Sequence, residues 1–441
     1  MIGPRRRSAI LDALRRGTVP KEGLGAFAVG MERFEAAVDA ELAAVASGRG
    51  GFKAVRGEYG AGKTFFVRWL QERARAAGFA TAEVQVSETE TPLHRWETVY
   101  RRLAERLTTA DTAEGALRPC VDAWFYTLEE EVLAGGGVDA GDAAALAAAT
   151  EALMERRLSG IARTAPAFSA VLRAYRRALL ADDPALAEGL IAWLGGQPNV
   201  AAGVKRAAGV KGDLDPFGAM HFLAGLLTVL RDSGRAGLVL VLDEVETLQR
   251  MRADTREKGL NAVRQLLDEL DVGRYPGLYL VATGTTGFFD GPQGVQRLPP
   301  LAQRLHTDFG TDARFDNPRA VQLRLPGFDL AALAAVGAKV RDLFAAGAGE
   351  PGRVLARVDD AYLTDLAQAV AGRLGGKAGV APRLFLRKLV ADVLDRVDQF
   401  PEFDPRRHYA PTLDAREMSA AERAASGAAA ADTVDDVELD V

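Results

Sequence analysis

"GEYGAGKT", residues 57–64, is the stretch on which the fold turns. It satisfies G-x-x-x-x-G-K-[S/T], in which glycines let backbone N–H groups approach phosphate oxygens and a lysine reaches the terminal phosphates. Gly57, Gly60 and Gly62 allow the tight turn, and Lys63 is expected between the β and γ phosphates of a nucleotide. Thr64 offers its hydroxyl to Mg²⁺, while Glu58, Tyr59, Ala61 and Phe65 complete the phosphate-binding stretch. The competing reading is a glycine-rich turn that matches by chance. Placement between a strand, "FKAVRG" (52–57), and an amphipathic helix bearing Phe65, Phe66, Trp69 and Leu70 argues against it.

Four further strands are expected: "TAEVQVS" (81–87), "GLVLVLDE" (237–244), "GLYLVATG" (277–284) and "RAVQLRL" (319–325). The runs at 237–244 and 277–284 are apolar almost throughout, as central parallel strands covered on both faces must be. Those at 81–87 and 319–325 alternate, as edge strands can. Helical patterns separate them, so the fold class is α/β: a parallel five-stranded sheet wrapped by helices, of the P-loop NTPase type.

The chain of 441 residues exceeds one ordinary core, and 48% apolar residues give ample material to bury. Five segments are expected. Residues 1–90 form the first part of the core with the phosphate loop, and 91–215 are a helical insertion. The rest of the core occupies 216–326, a C-terminal helical lid 327–400, and an acidic, disordered tail 401–441. About 150 residues without a clear strand separate the second and third strands, with helical stretches at 92–107, 121–133, 142–158 and 185–196. The lid is read from helical stretches at 329–347, 359–374 and 382–397, the last opening with Pro382, whose missing N–H costs nothing there.

The net charge of −5 is concentrated at the end of the chain, where residues 412–441 carry eight carboxylates against two arginines. The remainder is near neutral, so nucleic-acid binding is permitted but would need a local basic surface. In the 92–107 helix, Trp96, Tyr100, Leu103 and Leu107 recur at helical spacing, and Arg95, Arg101, Arg102 and Arg106 fall mostly elsewhere around it. A solvated basic face is the plainer reading, and contact with DNA phosphates the sharper one. Trp124 and Trp193 sit in apolar helical stretches and read as core. A single cysteine, Cys120, excludes an intrachain disulfide and a cysteine-clustered metal site, and His94, His221, His306 and His408 have no metal spacing. No run has the length a bilayer requires and the first residues lack an apolar leader core, so a cytoplasmic protein without a membrane partner is expected.

The third strand ends in Asp243 and Glu244, where a parallel sheet presents its ligand-binding edge. An aspartate there can hold Mg²⁺, and the adjacent glutamate can orient and deprotonate an attacking water. Glu246, on the next turn, is expected to face solvent or pair with an arginine. "ATGTT" ends the fourth strand, placing Thr283 or Thr285 beside Asp243 as a sensor of the γ phosphate or the lytic water; threonine also caps helices. A guanidinium would stabilise the charge on the transferring phosphoryl. Arg383 at the start of the last lid helix is a candidate, as are Arg297 and Arg304 in "QRLPPLAQRL", placed to reach a neighbouring subunit.

Taken together, a loop lysine, an Asp-Glu pair, a polar end to the next strand and a Pro-Arg entering a three-helix lid resemble an AAA+ ATPase of the origin-recognition-complex-like branch. The segment "FAVGMERFEAAVDAEL" (27–42) is similar to that branch's adenine-holding stretch, which implies adenine contacts at Val29 and Gly30. This likeness covers roughly residues 20–90 and 235–400 and excludes the insertion. The succession "ALRRGTVP", "VGMERF", "RGEYGAGKT" and "GLVLVLDEVE" resembles the BrxD-type ATP-binding proteins of BREX bacteriophage-exclusion systems. That resemblance implies ATP and Mg²⁺ as cofactors, a role in phage defence, and BREX partners such as a DNA methyltransferase, a phosphatase-like protein and a helicase.

One departure matters. Origin-recognition proteins carry a winged-helix DNA reader after the lid, whereas about 40 residues follow the last lid helix here. Any DNA contact would then use the insertion, Arg5, Arg6 and Arg7, or a homo-oligomeric ring assembled with ATP. The leading expectation is Mg²⁺-dependent ATP hydrolysis coupled to a DNA-associated defence complex. The alternative is a nucleotide-gated scaffold or switch with slow hydrolysis, which steady-state turnover with and without DNA distinguishes. A small-molecule kinase is disfavoured, because the Asp-Glu pair positions water.

Overall fold

Apolar runs with no charge before their last residue become the middle of the sheet. In this computed structural model, which describes residues 2–374, 382–412, 414–418 and 422–423, β1 is Gly51–Arg56, β2 Ala80–Gln85, β3 Leu238–Asp243, β4 Leu278–Gly284 and β5 Gln322–Arg324. The strands are parallel and stand in the order β2-β3-β4-β1-β5. Every residue of β3 and β4 is buried, as strands covered on both faces require, and the two alternating runs lie at the edges as expected. The register pairs Gln85 with Asp243 and Leu242 with Ala282, so the carboxyl ends of β2, β3 and β4 finish level with one another.

The chain divides into two compact units, one of residues 38–54 and 73–307 and the other of 1–37, 55–72 and 308–441. The first holds β2, β3, β4 and most of β1, with seven helices between β2 and β3 from Trp96–Glu105 to Pro216–Asp232. The expected stripe of the first helix, Trp96, Tyr100, Leu103 and Leu107, is buried. Phe222 gathers that helix and two others around itself. Its ring meets Tyr100 at 5.9 Å, Phe168 at 5.1 Å and Trp193 at 5.6 Å, each edge to face. Trp124 is buried too, and its indole N–H donates to Asp232 at 2.7 Å. The helix Pro166–Leu180 was absent from the expected set, although Pro166 opens it and Phe168, Val171, Leu172 and Tyr175 recur at helical spacing.

The second unit holds the phosphate loop, β5 and the helices after Pro326. β5 joins the end of β1 through Leu325 N–H, which donates to the Arg56 carbonyl at 2.8 Å. Asp329 and Asp359 cap the helices Leu330–Ala345 and Asp360–Arg373, accepting from Ala332 N at 2.7 Å and Tyr362 N at 2.8 Å. Between them lies a short unexpected helix, Pro351–Arg357. The expected helix from Pro382 is α-helical over Pro382–Arg387, widens to a π-helix over Lys388–Leu394 and returns to α over Asp395–Gln399. Such widened turns are rare and cluster at functional sites.

Of the stretch 401–441, expected without structure, the described residues make specific contacts. Asp404 caps the short helix Pro405–His408, the Tyr409 hydroxyl donates to Asp392 at 3.0 Å, and Glu417 and Glu422 meet lid cations. Charge pairing with the lid supplies the order that composition does not show; the rest of that stretch lies outside the described residues. Among the described residues, no helix is long and apolar enough to cross a membrane.

Candidate functional site

β1 delivers the chain to Gly57, and the helix Lys63–Ala76 takes it away. Between them Gly60 and Gly62 adopt φ of 84° and 90°, a region that side chains with a Cβ rarely enter. The arch closes on its own cation. The Lys63 ammonium donates to the Gly57 carbonyl at 2.7 Å and to the Glu58 carbonyl at 3.4 Å, with the Tyr59 ring 5.2 Å away. Lys63 is buried, while Glu58, Tyr59 and Gly60 are exposed and Ala61 packs inward. Thr64 and Phe65 fall in the first turn of the helix, where free N–H groups and the helix dipole favour an anion. A cation held inside a glycine arch at a helix start fits a triphosphate, and the adjacent Thr64 hydroxyl fits a magnesium ligand.

The same unit carries the expected adenine stretch. Phe27 meets Phe65 edge to face at 5.4 Å, and this packs the segment before Val29 and Gly30 on the helix of the loop. Gly30 has φ of 76° and is exposed. Two charged groups fix this segment further. Glu72, on the helix of the loop, accepts from Gly23 N at 2.9 Å and Leu24 N at 3.0 Å, and the Lys339 ammonium of the lid donates to the Ala28 carbonyl.

Arg383 lies in this unit as well, in the first turn of its helix. Its guanidinium meets the C-terminal segment: Nε donates to Glu422 Oε1 at 3.1 Å and Nη2 to the Glu417 carbonyl at 2.5 Å. The reason is charge, because this segment brings carboxylates within reach of the helix start.

In the other unit, β3 ends on Asp243, which is buried. Thr283, the sixth residue of β4, donates its hydroxyl to Asp243 and accepts from the backbone N–H of Glu244 at 3.1 Å. Thr285 instead caps the helix Thr286–Asp290, accepting from Phe288 N at 3.3 Å. The two threonines that sequence left as alternatives thus have separate tasks. Glu244 stands at φ 60° and ψ 45°, a left-handed conformation that costs a non-glycine residue roughly 1–2 kcal/mol. Its side chain is exposed and its Oε2 accepts from Gln85 Nε2 at 3.0 Å. The one signal for Gln85 in the sequence is a polar residue at the carboxyl end of an edge strand. Glu246 is buried, which removes the solvent-facing alternative.

The arginines proposed for a second subunit divide. Arg304 pairs with Asp268 and Asp271 of the helix Ala253–Asp271, and Arg297 is exposed in the turn Val295–Arg297. Three arginines of the candidate basic surfaces, Arg6, Arg95 and Arg102, are paired with carboxylates. Arg95 pairs with Glu97 at 2.8 Å, and Arg102 with Glu90 at 2.9 Å and Glu105 at 3.0 Å. Arg6 pairs with Glu72 and Arg7 donates to the Ala346 carbonyl at 2.9 Å, while Arg5 is exposed.

Among curated proteins, none matches the chain. The model of the family described as BREX system ATP-binding protein BrxC/D matches residues 2–413, nearly the whole length, and the chain belongs to that family.

Proposed function

We propose that the protein binds ATP at residues 57–64 and hydrolyses it with Mg²⁺, coupling turnover to a DNA-associated BREX defence complex. A parallel sheet presents the carboxyl ends of its strands at one edge, and in the chain the loop follows β1 and the acidic pair ends β3. Lys63 and the loop amides hold the phosphates, Val29 and Gly30 the adenine, and Arg383 meets the charge on the γ phosphate. Thr64 and Asp243 hold magnesium, which when bound neutralises charge between the β and γ phosphates. Glu244 orients water and accepts its proton, with Thr283 fixing its backbone. The observation that carries this reading is the left-handed backbone of Glu244, held by Thr283 at the end of a buried strand. Strain of this kind persists where surrounding structure over-determines it, as at active sites.

Glu244→Gln is expected to retain ATP and hardly turn it over, whereas Lys63→Ala loses binding. Wild-type turnover in Glu244→Gln removes the role given to that residue. The second reading, a nucleotide-gated scaffold with slow hydrolysis, draws support from the hydrogen bond of Gln85 to the Glu244 carboxylate. Steady-state turnover with and without DNA and other BREX proteins separates the two.

A further inference from the structure

The last lid helix carries three cations near its start, Arg383, Arg387 and Lys388, and one segment answers all three. Glu422 approaches Arg383 with both carboxylate oxygens, one of them 3.1 Å from Nε. Glu417 lies 3.3 Å from Arg387 Nη2 through Oε1 and 2.7 Å from Lys388 Nζ through Oε2, while its carbonyl accepts from Arg383 at 2.5 Å. Glu422 is 2% exposed, and a carboxylate so withdrawn from water is costly unless a partner compensates it. The two-oxygen pairing with Arg383 is that compensation. On another side Gly17 closes the space: a Cβ there would lie 3.3 Å from Arg383 Nη1 and from Arg387 Cδ.

A carboxylate and a phosphate offer a guanidinium the same fork of oxygens. We infer that the segment bearing Glu417 and Glu422 is an autoinhibitory strap whose carboxylates occupy Arg383 in place of a nucleotide phosphate. Strap and nucleotide then compete for one guanidinium, and whatever draws the segment away raises affinity for ATP. The inference rests on Arg383 being a nucleotide contact.

The test is equilibrium binding of a fluorescent ATP analogue with Mg²⁺ to the full chain, to Glu417→Gln/Glu422→Gln, and to a chain ending at Thr412. Each alteration is expected to tighten binding roughly tenfold. Arg383→Ala in the full chain weakens binding, and adding it to the double variant removes the gain. Unchanged affinity in the double variant, with Arg383→Ala still weakening binding, overturns the strap and leaves the role of Arg383 standing. Unchanged affinity in both the double variant and Arg383→Ala overturns that role too, and a gain that survives Arg383→Ala overturns the competition. Should the shortened chain fail to fold, the double variant decides, since Gln keeps the shape of Glu.

Discussion

Thr283 and Asp243 share a hydrogen bond across neighbouring strands, and the same threonine hydroxyl receives the backbone N–H of Glu244 at 3.1 Å. One buried side chain thus fixes a carboxylate and the strained residue that follows it. Thr283→Val keeps the shape and removes both bonds, leaving the buried Asp243 carboxylate without this donor and a part-buried N–H without its acceptor, at a cost of about 1–3 kcal/mol. We expect a matching loss in urea-unfolding free energy and turnover well below wild type, with nucleotide affinity little changed. Undiminished turnover would show that Glu244 needs no such support.

Gln85 holds the Glu244 carboxylate by a single exposed hydrogen bond. If Glu244 is the general base proposed above and that bond restrains it, Gln85→Ala raises basal turnover several-fold while stability moves by no more than about 0.5 kcal/mol, as for other surface changes. Slower turnover in this variant would instead make Gln85 a supporting residue. Single-turnover hydrolysis reads the difference directly.

Arg304 is bound within its own unit by Asp268 and Asp271, and its side chain is 29% exposed. As a partly exposed network it contributes about 0–1 kcal/mol to folding. Arg304→Ala is therefore expected to leave thermal stability nearly intact. A role between subunits predicts lost turnover together with a larger solution mass for Glu244→Gln in ATP; a strictly monomeric mass under those conditions removes it.

Burial pushes the Cys120 thiol up to about 11, the nearby Arg235 opposing only in part. The unfolded thiol ionises near 8.5. Its contribution is accordingly complete below that value and lost as pH rises through 11, so alkaline conditions favour unfolding. Thiol reagents at pH 8 should label Cys120 slowly in the folded chain and rapidly in urea. Fast labelling of the native protein would contradict the burial.

Gly225 lies against the Phe168 ring, where an added Cβ would come within 2.8 Å of Cδ1. Because Phe168 also packs on Phe222 at 5.1 Å, the ring has little room to retreat. Gly225→Ala is expected to destabilise by about 1–3 kcal/mol, an overpacking cost, and chemical denaturation reads it.

The sequence by itself determined the elements whose signal is local. Lys63 and its glycines occupy adjacent positions, and the runs at 238–243 and 278–284 are apolar because both faces are covered, so loop, strands and acidic pair were legible without coordinates. The alternation of β2 and β5 likewise marked the edges. Only the tertiary structure decided which polar groups meet. That Thr283 serves Asp243 while Thr285 caps a helix depends on the register of β3 against β4. That Gln85 reaches Glu244 depends on β2 pairing with β3 across about 150 intervening residues, and the contact of Glu422 with Arg383 spans 39 positions. Hydrophobic periodicity reports which face of an element is buried, a property of neighbours in the chain. It carries no term for the partner of a polar atom, which is chosen by packing between segments far apart in sequence.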